Sequence, residues 1–262
     1  MHLQTSRLGH WIEIDGPSDG IPVVFSNSLG ASTAMWRPQV EALAGEYRVV
    51  RYDQRGHGRS EVTAGPYPFS TLVDDAVALL DALELERVHF VGLSLGGMTA
   101  LGLALHHAQR LRSITAANCI AVVPPAGHTL WDERARLARE QGLAALVPSS
   151  LERWFTAPTR AARAAELAWV GDMLAATPVA GYVATCEALK TLDCFDALPR
   201  IAVPTLFIAG THDQGAPLAT MQAMHARVRG SRLVELDAAH VSNLERPAEF
   251  NAVVLDFLRG LS

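Results

Sequence analysis

The sequence predicts an α/β fold: a mostly parallel central sheet flanked by helices, with a helical cap inserted between two of its strands. Three observations predict it. Short apolar runs rich in β-branched residues alternate with longer stretches of helical periodicity, a glycine-flanked serine at position 94 stands between one such run and the helix after it, and residues 124–192 break the alternation. Strands buried on both faces read as unbroken apolar runs, and helices between them cover a parallel sheet.

The strand-like runs are residues 23–25, 47–52, 88–91, 114–122, 205–209 and 233–236. Between them, residues 33–44, 70–83 and 95–107 place apolar side chains at helical spacing, and a last helix is opened by Pro247, whose fixed φ suits a first turn. Residues 124–192 offer only helical patterns with start signals: Ser149 with Glu152 as a capping box, then Pro158 and Pro178. The expected organisation is therefore a core of residues 1–123 and 193–262 with a cap of residues 124–192 over the strand ends. Trp131, Trp154, Phe155 and Trp169 of that cap read as helix-packing residues, with a pocket wall as the alternative for each.

A chain of 262 residues with 49% hydrophobic content buries one large core. Its formal net charge is -5 and its Lys and Arg residues are scattered, so nucleic acid is not an expected partner. Cys119, Cys186 and Cys194 are odd in number and lack paired spacing, which predicts free thiols and fits a reducing, cytoplasmic setting. The first residues hold no apolar core of signal-peptide length and no stretch reaches the roughly 18 apolar residues of a membrane span, so no membrane association is expected. No His, Cys and carboxylate set has metal-ligand spacing, so neither a metal nor another cofactor is expected.

Gly92-Leu93-Ser94-Leu95-Gly96 follows the run at 88–91 and precedes the helical run at 95–107. Strand, G-x-S-x-G, helix is the context of a nucleophile elbow, whose sharp turn needs glycines so that backbone and helix can approach closely. A serine hydroxyl is a weak nucleophile; it needs a base, and the base needs a group to hold its tautomer. Among ten histidines, chain order selects His240 as base and Asp213 as its partner, because each follows a strand-like run downstream of Ser94. His57 is the rival base, but it precedes the serine in a turn-rich loop. His212 neighbours the acid, and His106 with His107 closes a helix as solvated residues. An attacked carbonyl also needs two donors for its oxyanion: the N–H of Leu95, and that of Leu29 in the loop Ser26-Asn27-Ser28-Leu29-Gly30.

These residues, with the Arg51-Tyr52-Asp53-Gln54-Arg55-Gly56-His57-Gly58 loop, resemble the α/β-hydrolase superfamily along essentially the whole chain. A narrower resemblance, to bacterial 3-oxoadipate enol-lactonases, rests on Ser26-Asn27-Ser28-Leu29-Gly30, Arg153-Trp154-Phe155-Thr156, Gly181-Tyr182, Cys186-Glu187-Ala188, Gly210-Thr211-His212-Asp213 and the run from His240 through Pro247. Asn27-Ser28 stands where many esterases of the superfamily carry His-Gly, in keeping with the enol-lactonase pattern. The resemblance implies hydrolysis of a small lactone that carries a carboxylate, within aromatic-compound catabolism. A cation should then position that carboxylate on a net acidic protein, and Arg134, Arg136 and Arg153 are the candidates, with Trp154 as an apolar wall and Ser28 as a donor to substrate. The alternatives are a carboxylesterase, perhydrolase or other lactonase acting on small esters, and a non-catalytic member that binds a small molecule.

Overall fold

The computed structural model describes residues 1–261. Eight strands form one sheet: β1 (His2–Gln4), β2 (Gly9–Asp15), β3 (Ile21–Ser26), β4 (Tyr47–Tyr52), β5 (Val88–Leu93), β6 (Leu111–Ala117), β7 (Thr205–Gly210) and β8 (Arg232–Leu236). They lie in the order β1-β2-β4-β3-β5-β6-β7-β8. From β4 to β8 every pairing is parallel, while β1 and β2 add an antiparallel edge. The strand order reverses beside β3, so the turns after β3 and β5 face each other at the carboxyl ends of adjacent strands.

Outside the cap the helices are α1 (Arg37–Leu43), α2 (Ser70–Ala82), α3 (Leu95–His106), α9 (Leu218–Arg227), α10 (Ser242–Glu245) and α11 (Pro247–Arg259). α3 packs across β3, β5 and β6 with α2 against it, and α1 packs against α11. The strand interiors fill the space between these layers: Val24, Phe25, Phe90, Val91, Ile114 and Phe207 are all 0% exposed. Burying each such side chain contributes about 1.5–3 kcal/mol, which is why these runs are continuous rather than alternating.

Between β6 and β7 the chain makes α4 (His128–Gln141), α5 (Val147–Trp154), α6 (Ala157–Ala162), α7 (Ala164–Ala175) and α8 (Val179–Leu189), with no strand among them. It leaves and returns along one antiparallel neck, where Val123 N–H donates to Leu192 O (3.0 Å) and Cys194 N–H to Ala121 O (2.8 Å). Pro158 lies in the first turn of α6, Pro178 caps α8 and Pro247 opens α11.

Several boundaries differ from the sequence reading. The run read as 114–122 is a strand only over Leu111–Ala117, because Asn118 takes a left-handed φ of 48° and turns the chain out of the sheet. Val122 instead bridges Asp193 in the neck. Ser149 is not a cap: α5 starts at Val147 ahead of Pro148, and the Ser149 hydroxyl donates back to Leu146 O at 3.2 Å. The β1–β2 edge and α9 carried too few apolar residues to stand out. Among the described residues no single helix is long and apolar enough to cross a membrane.

Candidate active site

β5 leads directly into Ser94, which has φ 55° and ψ −113°, a conformation few non-glycine residues adopt and one that costs about 1–3 kcal/mol. Its neighbours hold it there. Ser94 N–H donates to Ala117 O on β6 (2.8 Å), and Met98 N–H closes onto Ser94 O (2.9 Å) as α3 begins. A methyl group on Gly92 would run into the backbone of Gly96, and one on Gly96 into the Ser26 carbonyl, so both elbow glycines are needed for close approach.

His240 meets the serine from the loop after β8. Its Nε2 lies 2.9 Å from Ser94 Oγ, and its Nδ1 lies 2.8 and 2.9 Å from the two oxygens of Asp213. Asp213 Oδ1 also accepts the N–H groups of Gly215 (2.7 Å) and Ala216 (3.0 Å), and Oδ2 accepts the Asn118 amide (3.0 Å). Burial pushes the Asp213 carboxyl up, but the facing His240 ring and these donors outweigh it and hold it below the usual carboxylate range. An anion so held keeps Nδ1 protonated and leaves Nε2 free to take the serine proton.

Gly96 N–H donates to Asn27 O at 3.0 Å, which pins the loop after β3 against the start of α3. Within that juncture the N–H groups of Leu29 and Leu95 have no acceptor among the described residues. Leu95 is also the first residue of α3, where the helix dipole favours negative charge.

Beside Ser94 and His240 is a cavity of about 290 Å³, walled by Met98, Ile120 and Trp131 and by Arg153 from α5. The Arg153 guanidinium makes no ion pair or hydrogen bond with any described residue. Burial and the nearby Arg134 both press its guanidinium below its ordinary value, so an anion brought to it would be strongly welcomed. The other candidates lie elsewhere. Arg134 is buried, donating to Tyr182 Oη (2.8 Å) and Ser150 Oγ (2.8 Å) inside the cap. Arg136 is exposed and pairs with Glu140 at 2.6 Å. Trp154 (6% exposed) and Ser28 (2% exposed) are buried and neither lines the cavity beside Ser94, where Trp131 rather than Trp154 forms the aromatic wall; the Ser28 hydroxyl makes no hydrogen bond to a described residue.

The family model for the alpha/beta hydrolase fold matches residues 21–247. The chain belongs to the α/β-hydrolase family. This hydrolase is 38% identical to 3-oxoadipate enol-lactonase 1 of Acinetobacter baylyi over 95% of its own length and 93% of that protein's. It is 35% identical to a putative carbamate hydrolase RutD of a Caulobacter species, over 94% of this chain and 93% of that one. The crystal structure of the enol-lactonase from Burkholderia xenovorans LB400 superposes with a TM-score of 0.95 at 40% identity, covering 99% of this chain and 100% of that one.

The other histidines weighed from the sequence do not line the cavity that holds Ser94 and His240. His57 is fully buried, its Nδ1 2.9 Å from Arg55 O and its Nε2 unpartnered among the described residues; burial lowers it to about 4. His212 is exposed and pairs with Asp237. His106 and His107 line a different cavity. All three cysteines are free thiols, and burial pushes Cys186 and Cys194 up to about 12, too high for reactive thiolates.

Sequence reasoning missed Asn118 and Ser242. Asn118 Nδ2 donates to Asp213, and its Oδ1 accepts the Ser242 hydroxyl at 2.5 Å. The available signal was Asn118 itself, a residue tolerant of left-handed backbone inside the run read as 114–122.

Proposed function

We propose that this hydrolase converts 3-oxoadipate enol-lactone to 3-oxoadipate in bacterial aromatic-compound catabolism, through a Ser94-His240-Asp213 triad and an acyl-enzyme. The observation that carries this reading is the unpaired Arg153 guanidinium in the cavity that holds Ser94 and His240. A pocket with one unbalanced cation suits a small ester bearing a carboxylate. The enol-lactonases among its relatives support the same substrate class.

In this mechanism His240 Nε2 takes the Ser94 proton as Oγ attacks the lactone carbonyl. The N–H groups of Leu29 and Leu95 hold the oxyanion, each donor worth about 10² to 10³ in rate. Collapse breaks the ring C–O bond and expels an enolate oxygen, which accepts the proton from His240 and tautomerises to the ketone. An enolate leaves more easily than an alkoxide, so the demand on His240 as acid is modest. Water deprotonated by His240 then attacks the Ser94 ester, releasing the acid and returning the proton to Oγ.

The likeness to putative carbamate hydrolases supports a second reading, attack on a carbamate carbonyl by the same groups. Comparing kcat/KM on the enol-lactone, neutral aryl acetates and small carbamates decides among them. The lactone should lead, and Arg153→Gln should raise its KM about tenfold or more while sparing the acetates. A preference for neutral acetates or for carbamates would overturn the assignment.

A further inference from the structure

Glu245, at the end of α10, is 4% exposed and its carboxylate meets no Lys or Arg side chain within ion-pairing distance among the described residues. Three donors satisfy it instead, and they come from two parts of the molecule. Oε1 accepts the N–H (2.9 Å) and the hydroxyl (2.6 Å) of Thr156, in the cap between α5 and α6. Oε2 accepts the N–H of Ala239 at 2.6 Å, the residue before His240. A second tie runs alongside, from Val241 N–H to Trp154 O at 3.1 Å.

The cap segment that carries Arg153 is thus fastened on either side of the histidine it overhangs. Arg153 and Gln214 wall both the cavity beside Ser94 and an outer cavity of about 550 Å³, and Thr156 and Ala239 line the outer one. Any slip of residues 153–156 against residues 239–241 would move the guanidinium relative to Ser94.

We infer that Glu245 is a positioning residue: its carboxylate clamps the cap to the His240 loop and thereby sets where Arg153 holds the substrate carboxylate. The part concerning Arg153 rests on the enol-lactone reading; the clamp itself does not. An ionised carboxylate is suited to the task because it accepts from several donors at once with charge-assisted bonds. Glutamine at this position would keep one acceptor oxygen and turn an N–H₂ toward a donor.

The test uses the full-length protein with Thr156→Val, which removes one donor with little change in shape, and Glu245→Gln alongside. Amide hydrogen exchange should quicken in residues 239–241 as well as in residues 153–156 of both variants, since each half is held by the other. Thr156→Val should raise KM for the enol-lactone about tenfold with kcat nearly unchanged and leave phenyl acetate turnover as it was. In an Arg153→Gln background the same substitution should add nothing, the signature of a shared path in a double-mutant cycle. The inference is overturned if exchange changes stop within the cap, if both substrates suffer equally, or if the two substitutions are additive. Should Arg153→Gln by itself leave the lactone-to-acetate ratio unaltered, the enol-lactone reading and the Arg153 part fall together, and exchange at residues 239–241 still decides the clamp.

Discussion

Ser94 occupies a backbone conformation that its own chemistry disfavours, and it does so because β6, α3 and two glycines leave no other path. Such strain lifts the hydroxyl clear of the strand toward the imidazole. Replacing Ser94 with Ala should cut turnover by about 10⁶, measured by single-turnover kinetics with tightly purified protein. A variant keeping a tenth of the activity would mean that another nucleophile operates. Asn118 acts one step further out, through Asp213. Asn118→Ala removes a donor to a charged carboxylate, a bond worth about 1.5–3 kcal/mol, so kcat should drop about 10- to 100-fold at little change in KM. A drop confined to KM would show that Asn118 serves the substrate rather than the triad.

At the scale of elements, the sheet provides a rigid edge and the cap is fitted to it by close backbone contact. α8 reaches the loop after β4 with Gly181 against Gly56, and a methyl group on either would overlap the other's backbone. Gly56 also sits at φ 70°, where only glycine is unstrained. Gly181→Ala should therefore tilt α8 off that loop. The expected cost is about 1–3 kcal/mol in urea unfolding, together with a higher KM because Tyr182, which holds Arg134, moves with it. Unchanged stability would imply that the cap rides freely on the core.

For the whole molecule, buried titratable groups set the response to acid. Burial lowers His57 and His89 to about 4, and lowers His10 as well. An unfolded imidazole titrates near ~6.5, so unfolding takes up protons between that value and pH 4. Stability from these groups is complete above ~6.5 and declines below it, by about 1.4 kcal/mol per pH unit for each imidazole. Asp53 opposes them: burial raises it to about 6, so its contribution is present at low pH and lost as pH rises through 6. With more imidazoles than this one carboxyl, the balance still favours loss on acidification. Below about pH 4 the lowered Asp213 adds a further loss as its carboxylate protonates. The urea midpoint should fall steadily from pH 7 to 4.5; a flat midpoint would contradict the burial of neutral imidazoles.

The features legible from the sequence are those set by local rules. Apolar runs announced the parallel strands, Gly92 and Gly96 around a serine announced the elbow, and chain order picked Asp213 and His240 out of many carboxylates and histidines. Each signal is one-dimensional, because strand burial, turn geometry and order along the chain are written residue by residue. The arginines were not legible in that way. Arg134, Arg136 and Arg153 look alike in sequence, and only packing of the cap sends one into the hydroxyl of Tyr182, one into solvent beside Glu140 and one over Ser94 and His240. Glu245 and Asn118 were likewise hidden, since the partners of a buried polar group lie far along the chain: Thr156 is 89 residues from Glu245, and Asp213 is 95 from Asn118. The sequence by itself determined the fold and singled out Ser94 and His240, the nucleophile and base proposed here. Tertiary structure alone decided which arginine lines the cavity beside Ser94 and which groups fasten the cap there, because a side chain's exposure and partners belong to the packed molecule.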